Sequence, residues 1–143
     1  MFSKKMQEAL NNQVQAEIAS GYLYLGIAAY FESLTLKGAA KWMHLQAKEE
    51  LGHAMKIFAF INERGGRITL KPIEAPQKEW KSLLDAFETT YKHEQKVTGL
   101  IDDLVNLANK ENDHATANFL QWFVAEQVEE EANMTRFVTI AKA

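Results

Sequence analysis

Gln46-Ala47-Lys48-Glu49-Glu50-Leu51-Gly52-His53-Ala54 sets a glutamate on the seam of a helix, where a core side chain belongs. Apolar or small residues recur around it at Ala40, Met43, Ala47, Ala54, Ile57 and Ile61. That alternation of three and four marks a helix burying one stripe. Glu50 falls on the stripe, and His53 follows one turn later on the same side. Glutamate almost never goes fully inside unless it is paired or holds a metal. The pattern stops at Gly65-Gly66, a strong helix C-terminal signal.

The same misplacement recurs in three other stretches. From about Lys4 to Glu32 the seam reads Leu10, Val14, Glu17, Gly21, Tyr24, Ala28, Phe31, followed by a short turn over Ser33-Leu34-Thr35-Leu36. A third helix is predicted from near Trp80, with Leu84, Phe87, Tyr91, Glu94, Thr98, Ile101, Val105 and Ala108, broken by Glu111-Asn112-Asp113. A fourth carries Leu120, Phe123, Gln127, Glu130, Met134 and Phe137 and reaches nearly to Ala143. Each helix therefore has one seam carboxylate: Glu17, Glu50, Glu94 and Glu130.

Long helices joined by short turns predict an all-α four-helix bundle made of two antiparallel hairpins. The middle connection, Gly65 to Glu79, holds 15 residues and extends to about 50 Å at ~3.3 Å per residue. A helix of this size is about 42 Å long, so the connection can run the full bundle and leave the second and third helices parallel. The one strand-like stretch is Arg67-Ile68-Thr69-Leu70, inside this crossover.

The acids match in height. Within each hairpin they stand about 14 to 19 residues from the turn, roughly 25 Å along the axis and near mid-bundle. Four carboxylates gathered in a dry core must share protons or enclose cations. Glu50-x-x-His53 with one glutamate from each other helix follows the ligand logic of di-iron carboxylate bundles. Oxygen donors with one imidazole and no sulfur suit Fe(II), Mn(II) or Zn(II), and a carboxylate can bridge two ions. Acids rotated out to water, or a water-lined polar core without metal, are the alternatives.

Composition narrows the class. The 143 residues predict a single domain over 1–143, long enough for a core without staples. A net charge of −3 supplies no broad basic field for nucleic acid or acidic membranes. The absence of cysteine removes disulfides, thiolate metal sites and cysteine nucleophiles. With no signal-peptide pattern and no run near the ~18 apolar residues of a membrane span, a cytoplasmic protein is expected. Tyr22, Leu23, Leu25, Ile27 and Tyr30 widen the apolar face of the first helix and predict a homo-oligomeric contact. His44, His93 and His114 read as surface histidines and Trp122 as packing.

Over essentially its whole length the chain resembles the bacterial and archaeal non-haem ferritins. The motifs are Gln15-Ala16-Glu17-Ile18, Tyr22-Leu23-Tyr24-Leu25, the Gln46–Ala54 stretch, Glu63-Arg64-Gly65-Gly66, His93-Glu94, and residues 119–131 from Phe119 to Glu131. The resemblance implies a ferroxidase centre binding two Fe per subunit. Glu17, Glu50 and His53 would hold the first iron; Glu50, Glu94 and Glu130 the second, with Glu50 bridging and Gln127 beside the pair. It implies a third site from Glu49, Glu126 and Glu129 sharing Glu130, for which a solvated acidic face is the alternative. Tyr24 would hydrogen-bond near the irons and donate an electron, or serve as an ordinary core tyrosine. The implied function is oxidation of Fe(II) by O2 or peroxide, feeding ferric mineral into a 24-subunit cage.

Departures separate the relatives. Gln127-x-x-Glu130 stands where bacterioferritins and rubrerythrins have a second Glu-x-x-His. Leu51 replaces the haem-ligand methionine, so no haem is expected, and a rubredoxin centre would need cysteines. The residues after the fourth helix leave no room for the short fifth helix of ferritins; either a natural tail continues beyond Ala143 or the subunit lacks one, and the cage stays a family implication. A di-metal oxidase or peroxidase without storage, and a metal-free helical interaction protein, are the other classes. An apolar substrate pocket beside the acids would favour the first; acids far apart or solvent-facing would favour the second.

Overall fold

α1 (Lys4–Ser33), α2 (Lys37–Glu63), α3 (Leu83–Lys110) and α4 (His114–Lys142) make up the regular structure of the computed structural model, which describes residues 2–143. No helix follows α4 among those residues. Three of the four starts carry a side-chain cap, which satisfies an otherwise orphaned backbone donor. Ser3 accepts from the Met6 N–H, Ser82 from Asp85 and Asp113 from Thr116. The third helix begins at Leu83, later than the expected Trp80. Ser82 supplies the cap, and the Trp80 ring packs against Tyr30 at 5.4 Å. α2 closes through Gly65, whose φ of 76° suits a residue without Cβ.

Contacts at both ends fix the directions. Ser3 donates to Glu111 (2.7 Å) while Phe31 packs on Phe87 (5.4 Å), so α1 and α3 are antiparallel. Trp42 meets Phe137 and Phe60 stacks on Phe119 at 4.0 Å, so α2 and α4 are antiparallel too. Since α1 and α2 form a hairpin, α2 and α3 run the same way. The bundle is an all-α four-helix fold with one long crossover.

Residues 66–80 of the crossover form neither helix nor strand, Arg67–Leu70 included. Side chains one turn apart on α1 take the place of a strand partner. Asn11 donates to the Arg67 carbonyl (2.9 Å) and accepts from the Thr69 N–H (2.7 Å); Gln15 donates to the Pro72 carbonyl (3.1 Å).

Two apolar clusters fill the bundle. One gathers Leu10, Ile57, Ile101 and Leu120; the other gathers Tyr24, Phe31, Met43 and Phe87. Each fully buried aliphatic side chain contributes roughly 1.5–3 kcal/mol. The seam of α3 runs through Phe87, Thr90, Glu94, Val97, Ile101, Leu104 and Ala108. Leu84, Tyr91, Thr98 and Val105, expected on it, lie half-buried on its flank. Phe87, Glu94, Ile101 and Ala108 keep their expected places; the buried positions between them fall three residues after each rather than four, a choice that seam spacing alone leaves open.

Candidate metal centre

Between the two apolar clusters the four acids meet. Glu17, Glu50 and Glu94 are 0% exposed and Glu130 3%. α1 and α2 approach closely at this level because a Cβ on Gly21 would stand 3.2 Å from the Ala47 carbonyl and 3.7 Å from Glu50 Cβ. Ligand atoms of Glu17, Glu50 and His53 lie within 4.8 Å of one another, as do those of Glu50, Glu94 and Glu130. Glu50 belongs to both groups. His53 Nδ1 is 3.4 Å from Glu50 and 3.8 Å from Glu17, and its Nε2 faces Glu126 at 3.6 Å.

The polar atoms here lack partners. Both carboxylate oxygens of Glu17, Glu50 and Glu94, His53 Nδ1 and the Tyr24 hydroxyl are buried without a hydrogen bond from the described residues. An unsatisfied buried polar group costs about 1–3 kcal/mol, and more when charged. Without cations the acids hold protons instead. Burial, then the facing Glu50, pushes Glu17 well above the usual carboxylate range. Burial and the charge of Glu130 raise Glu50 to about 8; burial and Glu50 raise Glu94 to about 8. Glu130 is raised by burial and by Glu94. Burial, then Glu94, Glu50 and Glu130, lift the Tyr24 phenol above its ordinary value. Four carboxylates balance two divalent cations in charge, and this donor set fits two such ions sharing Glu50.

Residues 7–142 match the family described as Ferritin-like domain. The chain belongs to the ferritin family. It is 44% identical over 132 residues to a bacterial non-heme ferritin of Bacteroides fragilis, covering 92% of this chain and 83% of that one. A probable bacterial non-heme ferritin-like protein of Haemophilus influenzae is 41% identical over 131 residues, covering 92% and 79%. Among solved structures, an open pore ferritin from the archaeon Archaeoglobus fulgidus superposes with a TM-score of 0.97 at 56% identity, covering 97% of this chain and 86% of that one.

Other expected residues of this ferritin are placed as follows. Gln127 is buried on α4 and donates to the Glu94 carbonyl and to Thr98 Oγ1, both at 3.2 Å. Glu49 and Glu129 are exposed and Glu126 half-buried. Neither metal-capable group found among the described residues includes these three. Trp122 sets its edge against His53 at 5.3 Å, with Lys56 Nζ 4.1 Å above the indole.

His44 and His114 are exposed, but His93 is not the surface histidine expected. It hydrogen-bonds Ser20 (2.7 Å), packs edge-on against Tyr24, and is lowered to about 4 by burial, then by Lys96. Ile27 and Tyr30 are covered within the chain, whereas Tyr22, Leu25 and Leu51 stay about half exposed. With Ile18, Gly21 and Ala47 these three line an apolar groove of about 340 Å³. None of the four acids lines this groove.

Gln46, like Thr98, lies outside the expected site residues. Gln46 is buried and donates to Glu130 Oε2 at 2.6 Å. Its signal was its spacing: positions 46, 50 and 53 share one helix face.

Proposed function

We propose that this ferritin is a ferroxidase that oxidises Fe(II) with O2 or peroxide and passes ferric ion into a mineral store. The observation that carries the proposal is the pair of three-residue groups sharing Glu50, with six carboxylate oxygens that no protein donor satisfies. Fe(II) enters as substrate. Glu17, Glu50 and His53 hold one ion; Glu50, Glu94 and Glu130 hold the other, with Gln127 beside them. Cation entry displaces the protons that burial keeps on these acids.

Two Fe(II) supply two electrons. With two protons these reduce O2 to hydrogen peroxide, or reduce peroxide to two waters. Release as two neutral Fe(OH)3 takes six hydroxides from six waters; of their six protons, two enter the reduction of O2 and four return to the vacated carboxylates or to solvent. Together with one electron from a third Fe(II), one from Tyr24, buried near Glu94, would complete the four that take O2 and four protons to two waters, and a later Fe(II) would restore the tyrosine. Glu126 borders His53, and with Glu49 and Glu129 it gives departing ferric ion an acidic path or third site towards solvent. Storage requires a closed homo-oligomer, for which the exposed Tyr22, Leu25 and Leu51 supply contact area. Among the described residues no helix is long and apolar enough to cross a membrane, and a cytoplasmic setting is part of the proposal.

A di-metal oxidase acting on an organic substrate would need a cavity lined by the acids, and none of the four lines the apolar groove. A metal-free interaction protein would have its four acids apart or exposed, and they converge.

The test is aerobic Fe(II) titration followed by absorbance and oxygen uptake, with mass by light scattering. Fast oxidation is expected to saturate near two irons per chain, with slower mineral growth afterwards. Glu50→Ala and His53→Ala should each abolish the fast phase. Survival of that phase in either variant rejects the assignment.

A further inference from the structure

We propose that Thr98 and Glu131 are positioning residues that lock the Gln127 amide so that its oxygen, not its nitrogen, is offered to the metal pair. The proposal rests on the reading of Glu50, Glu94 and Glu130 as an iron site, and it concerns two residues outside that ligand set.

Gln127 stands one turn before Glu130 on α4 and is 2% exposed. An amide turned one way presents a lone pair to a cation or its water; flipped, it presents two N–H dipoles that repel the cation. Which end faces the ions therefore decides whether Gln127 helps or hinders binding. Its Nε2 lies 3.2 Å from the Glu94 carbonyl, which can only accept, so this end must be the nitrogen. The second amide hydrogen goes to Thr98 Oγ1, also 3.2 Å away. Both donors are then committed to α3, and Oε1 receives no hydrogen bond from the described residues.

The arrangement is vulnerable at one point. As an interior carbonyl of α3, Glu94 O already closes the helical bond to the Thr98 N–H, which leaves one lone pair. Two donors compete for it: the Gln127 amide, and the Thr98 hydroxyl, 3.0 Å away. A threonine hydroxyl has one proton. Glu131 Oε2, 2.5 Å from Thr98 Oγ1, draws that proton off α3. Thr98 then becomes a pure acceptor towards Gln127, and the Glu94 carbonyl is left to the amide. Glu131, on the half-buried side of α4 next to the ligand Glu130, so acts on the metal pair through two hydrogen bonds.

Two measurements test this on the full chain. Neutron diffraction from the metal-free protein is expected to show both amide deuterons of Gln127 on the side facing Glu94 O and Thr98 Oγ1. Deuterons on the opposite side overturn the proposal whether or not the protein binds iron. The second measurement is anaerobic Co(II) titration by visible absorption and calorimetry.

Thr98→Val removes the hydroxyl at nearly constant shape and should weaken Co(II) binding by about 10- to 100-fold, the usual effect of losing an outer hydrogen-bond partner. Thr98→Ser should restore it, and Glu131→Leu should give a smaller loss of the same sign. In a Gln127→Glu background, where either oxygen can face the ions, Thr98→Val should cost less than about threefold. An equal loss in both backgrounds would mean that Thr98 is merely structural and would overturn the proposal, as would no loss in the native background. Failure of the native chain to bind Co(II) would instead overturn the iron-oxidising function, and the neutron map would still decide the orientation of the amide.

Discussion

Removing metal should make this protein less stable as pH rises through neutrality, opposite to the behaviour of ordinary salt-bridged carboxylates. Glu50 and Glu94 sit at about 8 in the folded chain against an ordinary 4.5. Between those values the folded state binds more protons than the unfolded state, so the stability these groups supply is present at low pH and lost as pH climbs towards 8. His93, lowered to about 4 from 6.5, has the opposite sign: its contribution is present above 6.5 and lost as pH falls. The window from 6.5 to 8 therefore isolates the glutamates.

Two carboxyls protonated only in the folded state give a slope of about 3 kcal/mol per pH unit. Over the window that is about 4 kcal/mol, an upper value because the groups face each other and ionise in sequence. Glu17 and Glu130 shift the same way and steepen the fall. With a urea m-value of ~2 kcal/mol/M the midpoint should drop by about 1–2 M. The assay is urea unfolding by circular dichroism of chelated protein at fixed concentration, from pH 6.5 to 8. Mn(II) or Zn(II) at about 100 times its dissociation constant should return ~2.7 kcal/mol by mass action, and Glu94→Gln should flatten the slope. A midpoint that stays level or rises across the window refutes the argument that burial, without a cation, keeps these acids protonated.

Three further outcomes are expected. Tyr24→Phe removes a buried hydroxyl with no partner; the melting temperature should hold or rise, by up to about 1 kcal/mol of stability, while the fast phase of iron oxidation slows. A clear drop in melting temperature would show that the hydroxyl is bonded. Asn11→Ala deletes two of the hydrogen bonds that hold the crossover on α1 and should cost roughly 1–3 kcal/mol, with faster proteolysis within residues 66–80; unchanged cleavage rates would contradict it. Asp113→Ala removes the α4 cap and the partner of Arg64 (3.1 Å) and should cost about 1–2 kcal/mol in thermal or urea unfolding. Burial alone would raise this carboxyl, but bonds from Thr116 and Arg64 hold it below 3.8. The difference between wild type and variant should therefore persist above that pH and shrink below it; a difference that grows in acid would reject the pairing.

Helix number, hairpin order and the level of the four acids were legible in the sequence because each rests on local periodicity. A carboxylate on an apolar stripe is visible wherever the stripe is. The phase of α3 was less legible: Tyr91, Thr98 and Val105 slid off the seam because side-chain spacing leaves tens of degrees of rotation that only packing removes. The start of the same helix moved from Trp80 to Ser82, since a cap and an aromatic contact compete there.

What the chain alone determined, then, is that four helices carry one misplaced acid each, with His53 a turn from Glu50. Tertiary structure decided what surrounds them. Gln46 reaches Glu130 across the α2–α4 interface, His93 turns inward to Ser20 and Tyr24, and Glu131 reaches Gln127 through Thr98. Those contacts join residues 29 to 84 positions apart, and their geometry depends on how two helices are rotated against each other. No period within one helix encodes that rotation. It is set by the side chains of both packing faces together.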